Sequence, residues 1–461
     1  MTARAMVLDK VPSGTAELDT ILGGGFPSRS LVLLAGNPGC GKTIMATRFL
    51  HHGATERGEK GVYVSFAENR EDYCNNMIQF DMNMKTLEEK GLFKFLDYPA
   101  MSKTGMREAT NEILKVVMKF GAKRLVVDSI TSVLQVLGQE ESRTFLHMVF
   151  GKVVKSQGVT TIVIGEIPYG ESRTGFGMEE FVADGVIILK QVRLANSEKR
   201  IMDIAKMRGV PVERSVFEYV IDKRYGGIGM VMLPPQARIG VTSTEKLTTG
   251  IKELDEMISG GLYRGSITLI VGASGIGKTT ACLQLLVANA KNGEKALYLS
   301  FEEPVGQVMR TLKNYGLDHE KLTDNFTIES YVPEALTPLQ YYTLIRTHVE
   351  TFQPTILALD TLTAVQRTLS EGDFITFVRY LQIICKEKGL TVIITTASRT
   401  MAEATEAGIS TLADNIILMR FNEVEKIMMR EMVVLKTRGT AHEKKVKLYE
   451  ITERGIALSA S

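Results

Sequence analysis

Tryptophan is absent from the 461 residues, histidine occurs six times and cysteine only four times. The cysteines, Cys40, Cys74, Cys282 and Cys385, lie far apart and form no C-x-x-C pair. That spacing points to neither a zinc site nor a disulfide framework, and leaves free buried thiols in a reducing compartment. An excess of one charge is missing too: Lys and Arg total 55 against 53 Asp and Glu, a formal net charge of +2. A dedicated polyanion binder normally carries a strong basic excess or a basic tail, so a nucleic-acid partner is not expected. No stretch approaches the roughly 20 uninterrupted apolar residues of a membrane span, and the opening MTARAMVLDK lacks a signal-peptide core. The expectation is a cytoplasmic protein with no membrane partner. What is present is ordinary for a soluble globular chain, 44% hydrophobic and 23% charged. At roughly 150 residues per domain, the length allows two or three domains.

The sequence is written nearly twice. PSGTAELDTILGGGFPSRSLVLLAGNPGCGKT, from Pro12 to Thr43, returns as TTGIKELDEMISGGLYRGSITLIVGASGIGKT, from Thr248 to Thr279. Gly14 recurs as Gly250, Asp19 as Asp255, Gly25 as Gly261 and Lys42 as Lys278, always 236 positions on. Further along the offset shrinks slowly, to 235 for Phe66 and Phe301, 232 for Asp128 and Asp360, and 230 for Arg208 and Arg438. A nearly constant offset over so many positions means two homologous units of one fold, not a solenoid of short repeats. The seam falls in Leu233 to Lys246, where Pro234-Pro235 cannot continue a helix or a central strand. The expected domains are residues 1–232 and 247–461, joined by a linker at 233–246.

Each unit alternates strands with helices. SLVLLAG and SITLIVG are short apolar runs closed by glycine, as expected for strands buried on both faces of a parallel sheet. GVYVSF and ALYLSF, RLVVDS and ILALDT, TTIVIG and LTVIITT, and GVIILK and NIILMR add further buried strands. Helical stretches such as NEILKVVMKF and YYTLIRTHVETF lie between them. The fold class is α/β, with a mostly parallel sheet flanked by helices in each unit.

Gly36-Asn-Pro-Gly39-Cys-Gly41-Lys42-Thr43 and Gly272-Ala-Ser-Gly275-Ile-Gly277-Lys278-Thr279 both satisfy G-x-x-x-x-G-K-[ST]. Each follows an expected strand and opens an expected helix, the context that makes the pattern a phosphate-binding P-loop. The glycines let backbone N–H groups curl around phosphate oxygens, and the helix N-terminus adds partial positive charge. Lys42 and Lys278 are positioned for the β- and γ-phosphates, Thr43 and Thr279 for Mg²⁺. ATP with Mg²⁺ is the expected ligand pair.

The magnesium shell also needs a carboxylate at the end of a neighbouring strand. Asp128 and Asp360, each closing an apolar run and followed by a hydroxyl residue, supply it. Alone, such an aspartate is most often a cap or turn residue. A base is expected beside the P-loop strand as well: GVYVSF runs into Ala67-Glu68, and ALYLSF into Glu302-Glu303. An acidic helix start is the bland alternative. Glu68 and Glu303 share one position in the repeat, and the second unit has two acids where the first has one. Late in each unit stand Lys206-Met-Arg208-Gly and Lys436-Thr-Arg438-Gly. Residues two apart on a strand face the same side, so each pair projects together. Two such cations could act on a neighbouring subunit's γ-phosphate, or merely protect an edge strand.

The two P-loop units, LSFEE, the K-x-R-G strands and Thr405-Glu-Ala-Gly-Ile-Ser410-Thr411-Leu-Ala-Asp414 together resemble the KaiC family, circadian-clock ATPases and autokinases of the RecA superfamily. The resemblance runs from about Gly14 to Ala457. It implies two tandem RecA-like domains assembled as a double-ring homohexamer, with ATP between adjacent subunits. The N-terminal ring would act mainly as an ATPase and the C-terminal ring as an autokinase. It also implies that Ser410 and Thr411 are phosphorylated across the subunit interface with Thr405 assisting, and that a KaiB-like or signalling protein partner exists. In the first unit Glu180 and Phe181 stand opposite Ser410 and Thr411, so the acceptors are missing there. The departures are Ala67 in place of a glutamate, Pro211 after the first K-x-R-G, and a chain that stops at Ser461 without a long tail. Ala67 points to first-unit hydrolysis that is slower or rests on Glu68 alone, Pro211 removes a backbone donor from the edge where trans contacts are expected, and the missing tail points to a timing, stress or signalling role rather than a full three-component oscillator. Two rivals remain open at this point: a nucleotide-gated scaffold that presents a partner-binding face, and a DNA-handling RecA-like motor.

Overall fold

The architecture is that of a computed structural model. It describes residues 9–98, 103–138, 141–142, 149, 155–170, 182–193, 198–212, 215–230, 243–317, 324–333, 336–397 and 413–459. The chain divides into two compact units, Met1–Met232 and Leu233–Ser461. The acceptor candidates Thr405, Ser410 and Thr411, with Glu180, Phe181 and most of the seam, lie outside the described residues.

In the first unit nine strands form one sheet: β1 (Leu31–Gly36), β2 (Gly61–Ser65), β3 (Phe93–Asp97), β4 (Arg124–Asp128), β5 (Thr160–Glu166), β6 (Gly185–Arg193), β7 (Glu198–Met207), β8 (Val216–Asp222) and β9 (Gly227–Met230). Their spatial order is β9-β8-β7-β6-β1-β5-β4-β2-β3. The six strands from β6 to β3 are parallel, and β7, β8 and β9 extend the sheet antiparallel.

Burial along β1 explains why helices cover both faces. Val32 and Leu34 join one core together with Met45, Ala46, Phe49 and Leu50 of helix α1 (Lys42–Arg57). Leu31, Leu33 and Ala35 join the opposite core, with Met106, Ala109, Ile113 and Val117 of α2 (Lys103–Phe120). A strand with both faces apolar must be sandwiched, because each such side chain gains roughly 1.5–3 kcal/mol on burial.

The second unit repeats the plan with β10 (Ile267–Gly272), β11 (Ala296–Ser300), β12 (Phe326–Ser330), β13 (Ile356–Asp360), β14 (Thr391–Ala397), β15 (Asn415–Val424), β16 (Ile427–Thr437), β17 (Lys447–Thr452) and β18 (Gly455–Leu458). The order is β12-β11-β13-β14-β10-β15-β16-β17-β18. Helix α3 (Lys278–Lys291) follows β10 as α1 follows β1. The expected α/β class, with a mostly parallel sheet in each unit, is what the structure has.

Strand order corrects one expectation. Asp128 and Glu68 do not follow strands adjacent to the P-loop strand. β5 lies between β1 and β4, and β2 is further out still. The second unit is the same, with β14 between β10 and β13. The apolar runs TTIVIG and LTVIITT are late in sequence, yet they are buried along nearly their whole length and take the place beside the P-loop strand. Among the described residues, no helix is long and apolar enough to cross a membrane.

Candidate active site

The P-loop begins where β1 and β10 end, and two of its glycines have specific reasons to be there. A Cβ on Gly36 would lie 2.2 Å from the Leu189 carbonyl oxygen, and one on Gly272 would lie 2.4 Å from that of Met419. Gly41 and Gly277, the N-caps of α1 and α3, adopt φ of 89° and 109°, where L side chains are strained. Gly39 and Gly275 also have positive φ. The chain therefore turns tightly into each helix, the kind of backbone that makes an anion-binding concavity.

Within the loops, Lys42 Nζ donates to the carbonyls of Gly36 at 2.8 Å and Asn37 at 2.9 Å. Lys278 Nζ donates to Gly272 and Ala273, both at 2.9 Å. Burial pulls the Lys278 ammonium below its usual pKa, with Asp360 and Glu302 opposing.

The carboxylates converge although their strands are not neighbours of the P-loop strand. Helix α1 packs against β4 and β2 as well as β1, which carries its first turn over the end of β4. Thr43 Oγ1 donates to Asp128 Oδ2 at 3.0 Å, and Thr279 Oγ1 to Asp360 Oδ2 at 2.6 Å. The Asp128–Ser129 and Asp360–Thr361 peptide bonds are both cis.

Glu68 and Glu303 sit on equivalent turns. Their backbone N–H groups each donate at 2.9 Å to a buried serine hydroxyl, Ser65 or Ser300. Their side chains differ. Glu68 Oε1 accepts from Asn76 Nδ2 at 2.6 Å, whereas Glu303 Oε2 is buried with no hydrogen-bond partner among the described residues. Burial raises both carboxyl pKa values; at Glu303 the Asp360 and Glu302 charges raise it further and the Gln307 amide works against the rise, while at Glu68 the Asn76 amide works against it and the Asp128 and Asp72 charges add to it. Glu302 and Glu303 line a cavity of about 450 Å³ with Lys278, Thr279 and Asp360. A half-buried carboxylate of raised pKa beside a P-loop can accept a proton from water or a hydroxyl.

The K-x-R pairs lie elsewhere. Lys206 Nζ donates to Ala183 O and Lys436 Nζ to Ala413 O, both at 2.7 Å. Arg208 and Arg438 lie 3.5 Å from Asp184 and Asp414. Those aspartates accept from the N–H groups of Leu31 and Ile267, the first residues of β1 and β10. Arg208 and Arg438 lie one residue past the ends of β7 and β16, so strand alternation does not set their direction as expected; each pair is instead gathered on one segment, at the sheet edge opposite its own P-loop. Arg438 lines a second cavity, about 520 Å³, with Arg264, Lys386 and Asp414.

Several contributors were not singled out from sequence. Tyr63 and Tyr298 donate to the same aspartate oxygens as the P-loop threonines, and Thr395 donates to the other oxygen of Asp360. Burial, reinforced by the adjacent aspartate, pushes both phenol pKa values far up, so both stay protonated. Tyr315 and Arg367 also line the P-loop cavity. Arg200 and Arg430 each bury an Nε without a hydrogen-bond partner among the described residues. Recurrence was the available signal for the tyrosines and these arginines, since each pair occupies one repeat position. Nothing local marks Thr395.

Comparison with known proteins agrees with this geometry. The sequence profile of the KaiC ATPase family matches residues 11–234 and again 247–461. The chain is 31% identical to the circadian clock oscillator protein KaiC of Thermostichus vulcanus, over 98% of this chain and 89% of that protein. It is 30% identical to the protein of the same name in Prochlorococcus marinus, over 99% and 94%. It is also 30% identical to the circadian clock protein KaiC3 of Synechocystis sp., over 97% and 91%. Membership of such a family implies ATP binding, which the two P-loops suit. With two matched repeats and relatives aligned over nearly its whole length, the chain belongs to the KaiC family of ATPases.

Proposed function

We propose that the chain is an ATPase and serine/threonine autokinase whose nucleotide sites are completed between neighbouring copies, in a homohexamer. The observation that carries this reading is the placement of two charged half-sites at opposite edges of one sheet. Lys278 stands at the carboxyl edge, whereas Lys436 and Arg438 gather at the amino edge around Asp414. Along β10 the two edges are about 17 Å apart, five steps of about 3.3 Å. One unit cannot close these cations over its own phosphates. The amino edge of a second copy, set against the P-loop edge of the first, can. The first unit has the same arrangement with Lys42, Lys206 and Arg208.

In this reading the loop amides with Lys42 and Lys278 hold the β- and γ-phosphates, and Tyr315 offers an aromatic face to the base. The pairs Thr43–Asp128 and Thr279–Asp360 are hard oxygen donors of the kind that Mg²⁺ takes. Mg²⁺ there supplies charge neutralisation for the transferring phosphoryl group. Glu303, with Glu302 beside it, takes the proton of a Ser410 or Thr411 hydroxyl from the adjacent copy, and Thr405 assists. The hydroxyl oxygen bonds to the γ-phosphorus as its bond to the β-phosphate oxygen breaks, and ADP leaves. Lys436 and Arg438 stabilise the charge that develops. In the first unit Glu68 orients water, and the outcome is hydrolysis. Each phosphorylation adds about 1.5–2 negative charges, enough to alter packing at an interface. A timing, stress or signalling role is the proposed context, with a KaiB-like or signalling protein as reader.

The test is incubation with γ-labelled ATP, followed by intact-mass measurement and light scattering. Label is expected on the chain, absent from a Ser410→Ala, Thr411→Ala double variant, on particles near six copies. Undiminished label in the double variant would defeat the acceptor assignment. A lone polypeptide that neither binds nor splits ATP would defeat the whole reading.

One observation favours the scaffold reading as a second choice. The hairpin joining β15 and β16 exposes Val424, Ile427 and Met428 by 45%, 64% and 58%. Nucleotide-dependent capture of a partner that survives Glu303→Gln would select that reading. Turnover stimulated by single-stranded DNA, with steep salt dependence, would select a motor instead.

A further inference from the structure

Two buried tyrosines bear on the aspartates of the P-loop sites. Tyr63 is the third residue of β2 and pairs with Val126 of β4; Tyr298 is the third of β11 and pairs with Ala358 of β13. Asp128 and Asp360 lie two residues beyond those partners, hence on the same face of the sheet. A phenol is long enough to span that one repeat. Tyr63 Oη donates to Asp128 Oδ2 at 2.6 Å, and Tyr298 Oη donates to Asp360 Oδ2. Both rings are buried, at 1% and 0% exposure, so neither hydroxyl has water as an alternative partner.

The two clamps are not equal. Asp128 Oδ2 takes hydrogen bonds from Thr43 and Tyr63. Asp360 Oδ2 takes them from Thr279 and Tyr298, and its Oδ1 takes a third from Thr395. Thr395 pairs with Ile270 of β10, and the equivalent partner of Leu34 in β1 is Ile164, which has no hydroxyl. The second unit therefore fixes both carboxylate oxygens with hydroxyls where the first unit has an isoleucine.

We propose that Tyr63 and Tyr298 are positioning residues for divalent-cation binding, holding each P-loop aspartate in the orientation its metal shell requires, and that Thr395 makes the second unit's grip the tighter of the two. The proposal rests on the reading of the P-loops as nucleotide sites. A threonine hydroxyl that turns a lone pair toward a cation is a constrained partner for the carboxylate. The phenol is a donor that no cation competes for, so the carboxylate keeps its rotamer in both circumstances. Outer-shell partners of this kind are worth roughly 10- to 100-fold in metal affinity.

The experiment uses the full chain, the non-hydrolysable nucleotide AMP-PNP and Mn²⁺ as the probe, read by electron paramagnetic resonance. Wild type is expected to show two classes of nucleotide-dependent Mn²⁺ site, the tighter in the second unit. Tyr298→Phe should weaken the tighter class roughly 10- to 100-fold and Tyr63→Phe the other, while AMP-PNP affinity in EDTA is unchanged. Adding Ile164→Thr to Tyr63→Phe should recover part of the loss, which restored packing alone would not do. Unchanged Mn²⁺ affinity in either phenylalanine variant overturns the proposal, as does an equal fall in metal-free nucleotide affinity. Should Tyr298→Phe fail to fold, Thr395→Val replaces it, with the same expected direction and the same overturning result. Wild type that takes up neither nucleotide nor Mn²⁺ overturns the underlying reading, a pattern distinct from intact binding that ignores the tyrosines.

Discussion

Thr279 Oγ1 donates to Asp360 Oδ2 at 2.6 Å, joining residues 81 positions apart in the chain. Thr43 and Asp128 do the same at 3.0 Å across 85 positions. The contact ties the first turn of the P-loop helix to a strand that is not a neighbour of the P-loop strand. It is the point where a local motif becomes a site.

Removing the phosphate-facing ammonium is expected to be severe and confined to one unit. Lys278→Met should lower turnover by the second unit roughly 100- to 1000-fold, the range seen when one preorganised donor to developing charge is lost. Lys42→Met should do so for the first unit, and only the double variant should abolish hydrolysis. Phosphate release with counting of bound nucleotide checks this; full activity in the double variant would remove the P-loops from the chemistry.

The proposed autophosphorylation should depend on pH with a definite sign. Burial, Asp360 and Glu302 raise the Glu303 pKa, and a base works only when deprotonated, so the rate should climb as pH rises through that raised value. Glu302→Gln removes a neighbouring negative charge, which lowers the Glu303 pKa. The acid limb should therefore move to lower pH. An acid limb that stays in place would separate Glu303 from the rate-limiting proton transfer.

The first unit predicts the opposite shift. Asn76 donates to Glu68 Oε1 at 2.6 Å and favours its charged form. Asn76→Ala should raise the Glu68 pKa and move the acid limb of first-unit hydrolysis to higher pH. The measurement is made in a Lys278→Met background, where the second unit is silent.

Two glycines should respond oppositely to alanine. At Gly272 a Cβ would meet the Met419 carbonyl oxygen at 2.4 Å, a backbone atom that cannot swing away. Gly272→Ala should destabilise the second unit by about 1–3 kcal/mol. Gly372 lies in the helix Glu371–Lys388, where an added Cβ would meet nothing within 4 Å among the described residues. Gly372→Ala should stabilise by about 0.4–1 kcal/mol. Denaturant midpoints followed by circular dichroism distinguish the two.

The sheets show which inferences a sequence permits. SLVLLAG, RLVVDS and TTIVIG were readable as buried strands because continuous apolar runs are expected in a parallel sheet covered on both faces. Their order was not readable. Placing β5 between β1 and β4 depends on which strands pair across long connections, and no short window carries that information. Lys436 and Arg438 illustrate the same limit, since spacing put them on one side of a strand but not at the edge away from their own P-loop. Tyr63 and Tyr298 were visible as a repeated residue, yet their role needed the register that aligns them with Val126 and Ala358.

By itself the sequence determined the duplication, the α/β class and the residue types of the phosphate cradle. These depend on periodicity, on glycine's access to positive φ and on helix starts, all properties of neighbouring residues. Only the tertiary structure decided that Asp128 and Asp360 meet the P-loop threonines, that Glu303 Oε2 is buried without a partner among the described residues, and that the cations stand at the far edge. The first are contacts between segments 85 and 81 positions apart, and the other two depend on what surrounds a side chain or which end of a strand it occupies, all of which packing selects.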